Sequence, residues 1–325
     1  MNFSVEDLNN EIKAFIDFKS INKVEEIQSL WSGYGSVLRV FLEGAAYSSV
    51  VVKWIEFSNQ IKPKSSWSSE FAHKRKLNSY RNELTWYQYY SFLLNGFCKM
   101  PTYLGHNSYD HSAILLLSDL GLQGYKSIGG ALDYNRYKIC LTWLAHLHAF
   151  FLKDDINDLW QEGTYWHLST RPDEFEAMQT SPLRNKASYI DQALKKTKYL
   201  TVIHGDAKPD NFLFNGQDET AAVDFQYTGI GCGMKDIVCL LSSLGEEMNQ
   251  YLEQDYLTHY FTALRTACQK CYLDINLNDL EGNWRALYPF AWADYQRFLE
   301  GWSPDHWKMT EYMKIQVEKA LKAIG

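Results

Sequence analysis

Near the start of the chain, the order of apolar and polar positions predicts one helix followed by three strands. Ser4 and Asp7 give a capping-box pattern, and apolar residues at helical spacing continue it to about residue 18. Three runs rich in valine, leucine, phenylalanine and tryptophan then predict strands at 24–31, 36–43 and 48–57. Glycine-containing turns separate these runs, so an antiparallel meander is expected.

The following stretch predicts a helix and two more strands. Residues 78–95 show the spacing of a long amphipathic helix, and 101–105 and 112–117 read as strands that complete a five-stranded sheet. The strongest helical pattern of the chain covers 132–152, whereas the pattern over 153–198 is weak. Further helices are predicted at 248–270, 280–301 and 305–324, the second kinked or broken at Pro289.

Between these two helical regions, short apolar runs surround a polar loop. The runs at 200–203, 212–214 and 220–223 predict strands, and the third ends on Asp224. The loop between the first two runs holds five polar side chains: His204, Asp206, Lys208, Asp210 and Asn211. Two or three strands therefore carry charged groups to one place.

Composition and charge exclude several classes of protein. With 46% hydrophobic and 22% charged residues, the 325-residue chain has the composition of a soluble protein large enough for two lobes. A net charge of −7 gives no basic field for nucleic acid, and the basic stretch 62–76 is interpreted as a solvated loop. No apolar run is long enough to cross a bilayer, and the N-terminus lacks an apolar signal core. The six scattered cysteines suit free thiols, so we expect a cytoplasmic protein without a membrane partner.

The polar loop has the groups that phosphoryl transfer requires. Such a site needs a carboxylate that orients the attacking hydroxyl and accepts its proton, together with oxygen ligands for Mg²⁺. Asp206 is the candidate catalytic carboxylate, and Asn211 and Asp224 are the candidate Mg²⁺ ligands. Lys208 is a candidate for contact with the transferred phosphoryl group, with an ordinary loop lysine as the alternative. His204 is expected to hydrogen-bond backbone and shape the loop.

The order of these residues resembles the kinase motifs H-x-D-x-x-x-x-N and D-F-G. Gly205 stands where protein kinases carry arginine, Gln226 replaces the last glycine, and the interval from Asp224 to Asp236 is too short for an activation segment. The loop is similar to the H-G-D-x-x-x-x-N form of the aminoglycoside phosphotransferase and choline kinase superfamily. Its D-F-Q ending is most similar to the ecdysteroid-kinase-like (CHK) branch. By the same resemblance, Asp236 and His148 support the catalytic loop.

The resemblance implies an α+β, protein-kinase-like fold of two lobes that binds ATP and Mg²⁺. The N-lobe would comprise residues 1–118, with a five-stranded antiparallel sheet that binds nucleotide. A mostly helical C-lobe, residues 119–325, would carry the catalytic loop, the metal site and the acceptor-binding region. Asp119 and Leu120 correspond to the hinge, where backbone amide and carbonyl groups would bind the adenine edge.

Further nucleotide contacts are expected in the N-lobe. Gly33 and Gly35 form a G-x-G turn whose backbone amides could approach phosphates, although an ordinary hairpin turn has the same pattern. Lys53 interrupts an apolar strand. An edge-strand charge would explain it, but the kinase resemblance favours contact with the α- and β-phosphates. Glu83, or alternatively Glu70, would pair with this lysine.

The phosphate acceptor is expected to be a small molecule with a hydroxyl group: an amino alcohol, a sugar, an aminoglycoside or a steroid-like compound. Aromatic residues concentrate toward the C-terminus, with Asp294 among them, and such surfaces can bind cations or rings. These aromatic residues are Trp284, Tyr288, Trp292, Tyr295, Trp302 and Trp307. The helical spacing of the first four, however, favours a position in the core. A nucleotide-binding pseudokinase or an interaction module without turnover is the alternative, and the oligomeric state stays open.

Overall fold

The structure is a computed structural model that describes residues 4–30, 33–57, 70–152, 156–216 and 218–325, the side chain of Glu70 excepted. The chain divides into two units. The first comprises Met1–Asn95 and Met100–Lys126, and the second Gly96–Lys99 and Ser127–Gly325.

The first unit is built on the predicted five-stranded antiparallel sheet, with strand order β1-β2-β3-β5-β4. Its elements are α1 (Val5–Lys13), β1 (Ser20–Ser29), β2 (Gly35–Glu43), β3 (Ser49–Glu56), α2 (Glu70–Thr85), β4 (Tyr103–Ser108) and β5 (Ser112–Ser118). The capping box predicted at the start of α1 is present, since the Asp7 amide donates to Ser4 Oγ and the Ser4 amide donates to Asp7 Oδ2.

One face of this sheet and helix α1 share an apolar core. Leu8 and Ile12 of α1 are buried with alternate residues of the central strands, among them Val50 and Val52 of β3. Because successive side chains of a strand point to opposite faces, Lys53 lies on the face away from α1.

The basic stretch predicted as a loop is partly helical. Residues 70–76 belong to α2, which starts eight residues before the predicted helix and gives way to a π-helical turn at Trp86–Tyr90. Lys76 is held on this helix, because its Nζ lies 4.7 Å from the centre of the Tyr80 ring. Lys62 and Lys64 lie outside the described residues.

The second unit is mostly helical, as predicted. Its helices are α3 (Tyr134–Phe150), α4 (Pro172–Ala177), α5 (Pro182–Lys195), α6 (Met234–Leu241), α7 (Gln250–Lys270), α8 (Leu277–Trp302) and α9 (Glu311–Ile324). Its strands are β6 (Thr201–Ile203), β7 (Phe212–Asn215), β8 (Glu219–Ala222) and β9 (Gly229–Gly231), paired as β6 with β9 and β7 with β8.

Two expectations for the second unit are corrected. Helix α8 is continuous through Pro289, so the break expected there as one of two outcomes is absent; the residues on both sides of the proline are buried. The last helix begins at Glu311 rather than near residue 305, and Thr310 caps it by accepting a hydrogen bond from the Met313 amide. Among the described residues, no helix is both long and apolar enough to cross a membrane.

Candidate active site

The catalytic loop, between β6 and β7, brings the three predicted catalytic residues together. Asn211 Nδ2 donates hydrogen bonds to the Asp206 backbone carbonyl at 2.8 Å and to Asp206 Oδ2 at 3.1 Å. Lys208 Nζ lies 3.2 Å from the same carboxylate oxygen. The charge of Asp206 is the largest influence on Lys208 and raises its pKa, so the lysine is protonated at neutral pH.

The second carboxylate oxygen of Asp206, Oδ1, has different surroundings. This oxygen is buried and accepts no hydrogen bond from any described residue. Because Asn211 and Lys208 fix the other oxygen, Oδ1 has a defined position. A buried acceptor atom without a donor costs free energy, so a ligand hydroxyl at this point would be stabilised.

Asn211 and Asp224 lie at the same end of the β7–β8 hairpin. The Val223 amide donates to the Asn211 carbonyl at 2.9 Å, which extends the hairpin ladder by one pair and places Asp224 beside Asn211. Asp224 has a φ of +66°, a conformation in which non-glycine residues concentrate at functional sites. Gln226 Nε2 donates to Asp224 Oδ1 at 2.5 Å, so the residue that departs from D-F-G orients this carboxylate.

The donor set of this hairpin end fits Mg²⁺. Asn211 uses its amide nitrogen to hold Asp206, which leaves the amide oxygen as the ligand atom. Mg²⁺ is commonly bound by one or two protein oxygen ligands with phosphates and water completing the coordination. The described residues contain no cluster of three His, Cys, Asp or Glu side chains suited to a metal.

Asp236, in the first turn of α6, holds the catalytic loop through hydrogen bonds to its backbone. Its fully buried carboxylate accepts hydrogen bonds from the His204 amide at 2.6 Å and the Gly205 amide at 2.9 Å. His148 Nε2 lies 3.1 Å from the same carboxylate, and its Nδ1 lies 2.7 Å from the Tyr260 hydroxyl. The supporting roles expected for Asp236 and His148 are confirmed.

His204 shapes the loop as a neutral side chain. Burial is the largest influence on it and lowers its pKa. Its Nε2 lies 3.1 Å from the Val223 carbonyl, and its Nδ1 lies 3.3 Å from the Asp206 amide. The tautomer with a proton on Nε2 satisfies both contacts, because the carbonyl then accepts and Nδ1 accepts from the amide.

Gly205 is required by the backbone at this point. Its φ is +81°, and a Cβ atom built there would lie 2.0 Å from the Tyr227 carbonyl oxygen. No side chain fits this position without moving the turn that precedes β9, so the H-G-D form follows from the local packing.

In the first unit, Lys53 forms a buried ion pair with Glu83. Lys53 Nζ lies 2.6 Å from Glu83 Oε2, and the two side chains are 7% and 3% exposed. The pairing partner is therefore Glu83, while the side chain of the alternative, Glu70, lies outside the described residues. Strand β3 has β2 on one side and β5 on the other, which rules out the edge-strand explanation of Lys53.

The two glycines of the G-x-G turn differ in their surroundings. A Cβ on Gly35 would lie 2.0 Å from the Trp54 carbonyl oxygen, so this glycine is needed where β2 begins to pair with β3. Gly33 has a φ of +78°, and no described atom lies within 4 Å of the position of its Cβ. Only Gly33 is thus open to close approach by a ligand on that side.

The predicted hinge residues belong to the first unit, beyond the boundary expected at residue 118. Asp119 stays there because its carboxylate accepts from Arg39 Nε at 2.7 Å and from Ser49 Oγ at 2.5 Å. The carbonyl of Asp119 accepts from the Leu122 amide, and that of Leu120 from the Tyr125 amide.

The aromatic residues of α8 are core residues, as their spacing favoured. Trp284, Tyr288, Trp292 and Tyr295 are all at most 2% exposed. Asp294 is also committed to the interior, because its Oδ1 accepts two hydrogen bonds from Arg297.

One cation near the catalytic loop was missed by the sequence analysis. Lys308 lies between α8 and α9 and is 9% exposed; burial lowers its pKa, and the charge of Asp206 is among the influences that raise it. The surrounding H-W-K sequence matches no motif, and its burial follows only from the way the C-terminal segment packs.

Comparison with known proteins agrees with this arrangement. The model of the family described as "Phosphotransferase enzyme family" matches residues 27–269. A solved amicoumacin kinase, in complex with AMP-PNP and Ca²⁺, is similar with a TM-score of 0.52 at 11% identity, covering 98% of this chain and 92% of the other. A microcompartment-associated aminopropanol kinase has a TM-score of 0.51 at 12% identity, covering 98% and 94%. No curated protein matches.

The likeness to these structures supports the fold, a kinase-like arrangement of a five-stranded antiparallel unit followed by a helical unit. The family match covers well over half of the chain. The chain therefore belongs to the phosphotransferase enzyme family.

Proposed function

We propose that this protein transfers the γ-phosphoryl group of ATP to a hydroxyl group of a small molecule. The observation that carries the proposal is the state of Asp206. One carboxylate oxygen is fixed by Asn211 and Lys208, while the other is buried and lacks a donor among the described residues. An acceptor hydroxyl would supply that donor and would at the same time be oriented for attack.

Each group of the catalytic loop then has a defined task. Asp206 accepts the hydroxyl proton as the new phosphorus–oxygen bond forms, and Lys208 offsets the negative charge on the transferred group. Asn211 and Asp224 would hold Mg²⁺, which when bound neutralises charge on the phosphate oxygens. His204 keeps the loop in shape through its backbone contacts.

The nucleotide contacts proposed for the first unit follow the same resemblance. Lys53, positioned by Glu83, would contact the α- and β-phosphates, and the amide of Gly33 would approach the phosphates. The backbone amide and carbonyl groups of Asp119 and Leu120 would bind the adenine edge.

The finer assignments are also proposals. The D-F-Q sequence supports placement in the ecdysteroid-kinase-like branch. The glutamine of this sequence, Gln226, orients Asp224 through a hydrogen bond. All six cysteines are free thiols, five of them buried, which supports a reducing compartment such as the cytoplasm. The names of the similar structures, an amicoumacin kinase and an aminopropanol kinase, support a small-molecule acceptor.

The test is an ATP-consumption screen over amino alcohols, sugars, aminoglycosides, hydroxysteroids and hydroxy acids. Asp206→Asn should lower turnover of any accepted compound by about 10²–10⁴-fold, the usual contribution of a general base, and leave ATP binding intact. Asp224→Ala should weaken binding of Mg-ATP. The exposed Asp305 offers a matched control, and Asp305→Ala should leave both properties unchanged.

Two results would contradict the proposal. Near-normal turnover by the Asp206→Asn protein would remove Asp206 from the mechanism. Binding of Mg-ATP without consumption over the whole screen would favour the pseudokinase.

A further inference from the structure

Lys308 is a buried lysine with no carboxylate partner among the residues that the structure describes. Its Nζ lies 3.0 Å from Ser242 Oγ and 3.0 Å from Ser243 Oγ, and the side chain packs against aromatic rings. Within the described parts of the chain, no Asp or Glu forms an ion pair with it. The serine hydroxyls accept hydrogen bonds but provide no negative charge.

The other buried lysines of the chain are paired. Lys235 lies 3.7 Å from Glu162 and 3.6 Å from Asp294. Lys53 lies 2.6 Å from Glu83. Since burial of a charge without a counter-charge is costly, this contrast requires an explanation.

A chain of contacts links Lys308 to the residue that precedes Asp206. Its Nζ lies 5.8 Å from the centre of the Tyr295 ring, and the Tyr295 hydroxyl lies 3.3 Å from the Tyr165 hydroxyl. The Tyr165 amide donates to the carbonyl of Gly205, the residue before Asp206, at 3.2 Å.

The charges agree with that placement. Burial is the largest influence on Lys308 and lowers its pKa, while the nearby carboxylates of Asp206 and Asp210 raise it and the Lys208 ammonium lowers it. The charge of Asp206 therefore acts on Lys308, although the two side chains form no ion pair. Asp206 is itself paired with Lys208, so it offers little charge to a second cation.

Resting on the proposed function, we propose that Lys308 binds an anionic group, a carboxylate or a phosphate, of the hydroxyl-bearing acceptor. An ammonium has three donors, of which the two serines use two, so a bound oxyanion can take the third together with the missing counter-charge. The acceptor would then differ in charge from amino alcohols and aminoglycosides.

The experiment uses two sets of acceptors, each with one number of carbon atoms and with anionic, neutral and cationic members. The three-carbon set is glycerate, glycerol 3-phosphate, glycerol and 3-amino-1,2-propanediol. The six-carbon set is gluconate, glucose 6-phosphate, glucose and glucosamine. Turnover of ATP and calorimetric binding are measured for each, and the carboxylate and phosphate members separate the two sources of negative charge.

We expect an anionic member to be used with a kcat/KM at least ten-fold above that of its neutral and cationic counterparts. Lys308→Met should raise the KM for that anion by ten-fold or more and change kcat less than two-fold. Lys308→Arg should keep the preference because it keeps the charge. Lys314→Met, at an exposed lysine of α9, is the control and should behave as the wild type.

Several results would overturn the inference. One is a wild-type preference for neutral or cationic acceptors, and another is binding of Mg-ATP with neither binding nor turnover of any anion. A third is an equal fall in kcat for all acceptors in Lys308→Met, which would assign Lys308 to the transferred phosphoryl group. A melting temperature for each variant separates these results from loss of folding. Should the methionine variant prove unfolded, the arginine variant provides the test.

Failure of the proposed function has a different signature. If the wild type neither binds Mg-ATP nor consumes ATP with any compound, both proposals are wrong. If it phosphorylates amino alcohols and Asp206→Asn abolishes that activity, only the assignment of Lys308 is wrong.

Discussion

Replacing Asp236 with alanine should loosen the catalytic loop at the two residues that precede Asp206. In the native structure, the Asp236 carboxylate accepts hydrogen bonds from the backbone amides of His204 and Gly205 at 2.6 and 2.9 Å. It also lies 3.1 Å from His148 Nε2, and it is fully buried. Alanine would leave these donors in the interior without their acceptor.

The expected loss can be worked out from these contacts. A hydrogen bond to a charged group contributes about 1.5–3 kcal/mol, so the two amide bonds together contribute about 3–6 kcal/mol. Water entering the space left by the carboxylate would recover part of that, which gives an expected loss of about 3–5 kcal/mol. Asp236→Asn should cost less, since its amide oxygen can still accept one of the two bonds.

Two measurements test this expectation. Urea unfolding followed by the fluorescence of the 11 tryptophans reports the stability change, and hydrogen exchange at the His204 and Gly205 amides reports local opening. Asp305→Ala, at an exposed position, should stay within about 0.5 kcal/mol of the wild type. A loss below about 1 kcal/mol for Asp236→Ala, with both amides still protected, would refute the supporting role derived from the distances.

Three further outcomes follow from the structure. Gly205→Ala should lower the free energy of unfolding, measured in urea, by more than about 2 kcal/mol, because its Cβ would lie 2.0 Å from a carbonyl oxygen. Gly216→Ala, at a φ of +66° but in open space, should lower it by about 1 kcal/mol. Equal losses would contradict the steric argument. Burial raises the pKa of Asp191 from 3.8 to about 6, so the folded state binds this proton more tightly and loses that stability as pH rises through about 6. Asp191→Asn should therefore gain stability relative to the wild type between about pH 4 and pH 7 in thermal melts, and parallel pH profiles would count against it. Glu83→Gln should lower the free energy of unfolding by about 3 kcal/mol, because it removes the counter-charge of Lys53. The double variant Lys53→Met/Glu83→Leu should lose less stability than the sum of the losses of its two single variants.

The sheet and the catalytic loop could be predicted from sequence because their signals are local. Period-two alternation with glycine at the turns fixes the strands of the first unit, and Asp206, Asn211 and Asp224 stand in a spacing that few other sites share. The pairing of Lys53 with Glu83 could be proposed only as one of two options, since helix α2 had no clear start signal in the basic stretch before it.

Other features depend on tertiary packing and had no local signal. Helices α4 and α5 lie in the stretch of weak periodicity, and each begins with a proline at its first position that the apolar pattern alone does not reveal. The unbroken course of α8 through Pro289 depends on burial of both flanks. Lys308 is the clearest case, because only the packing of the C-terminal segment against the residues that follow α6 brings its charge near the catalytic loop.

The way the catalytic loop is held has a consequence for regulation. In many protein kinases, a phosphorylated activation segment is ordered by arginine side chains. Here the position of the catalytic-loop arginine is Gly205, and the 2.0 Å approach of a backbone oxygen to its would-be Cβ excludes any side chain. The loop is instead fixed by a buried carboxylate, Asp236, which requires no modification to be in place. A phosphate group would therefore find no side-chain cation at residue 205.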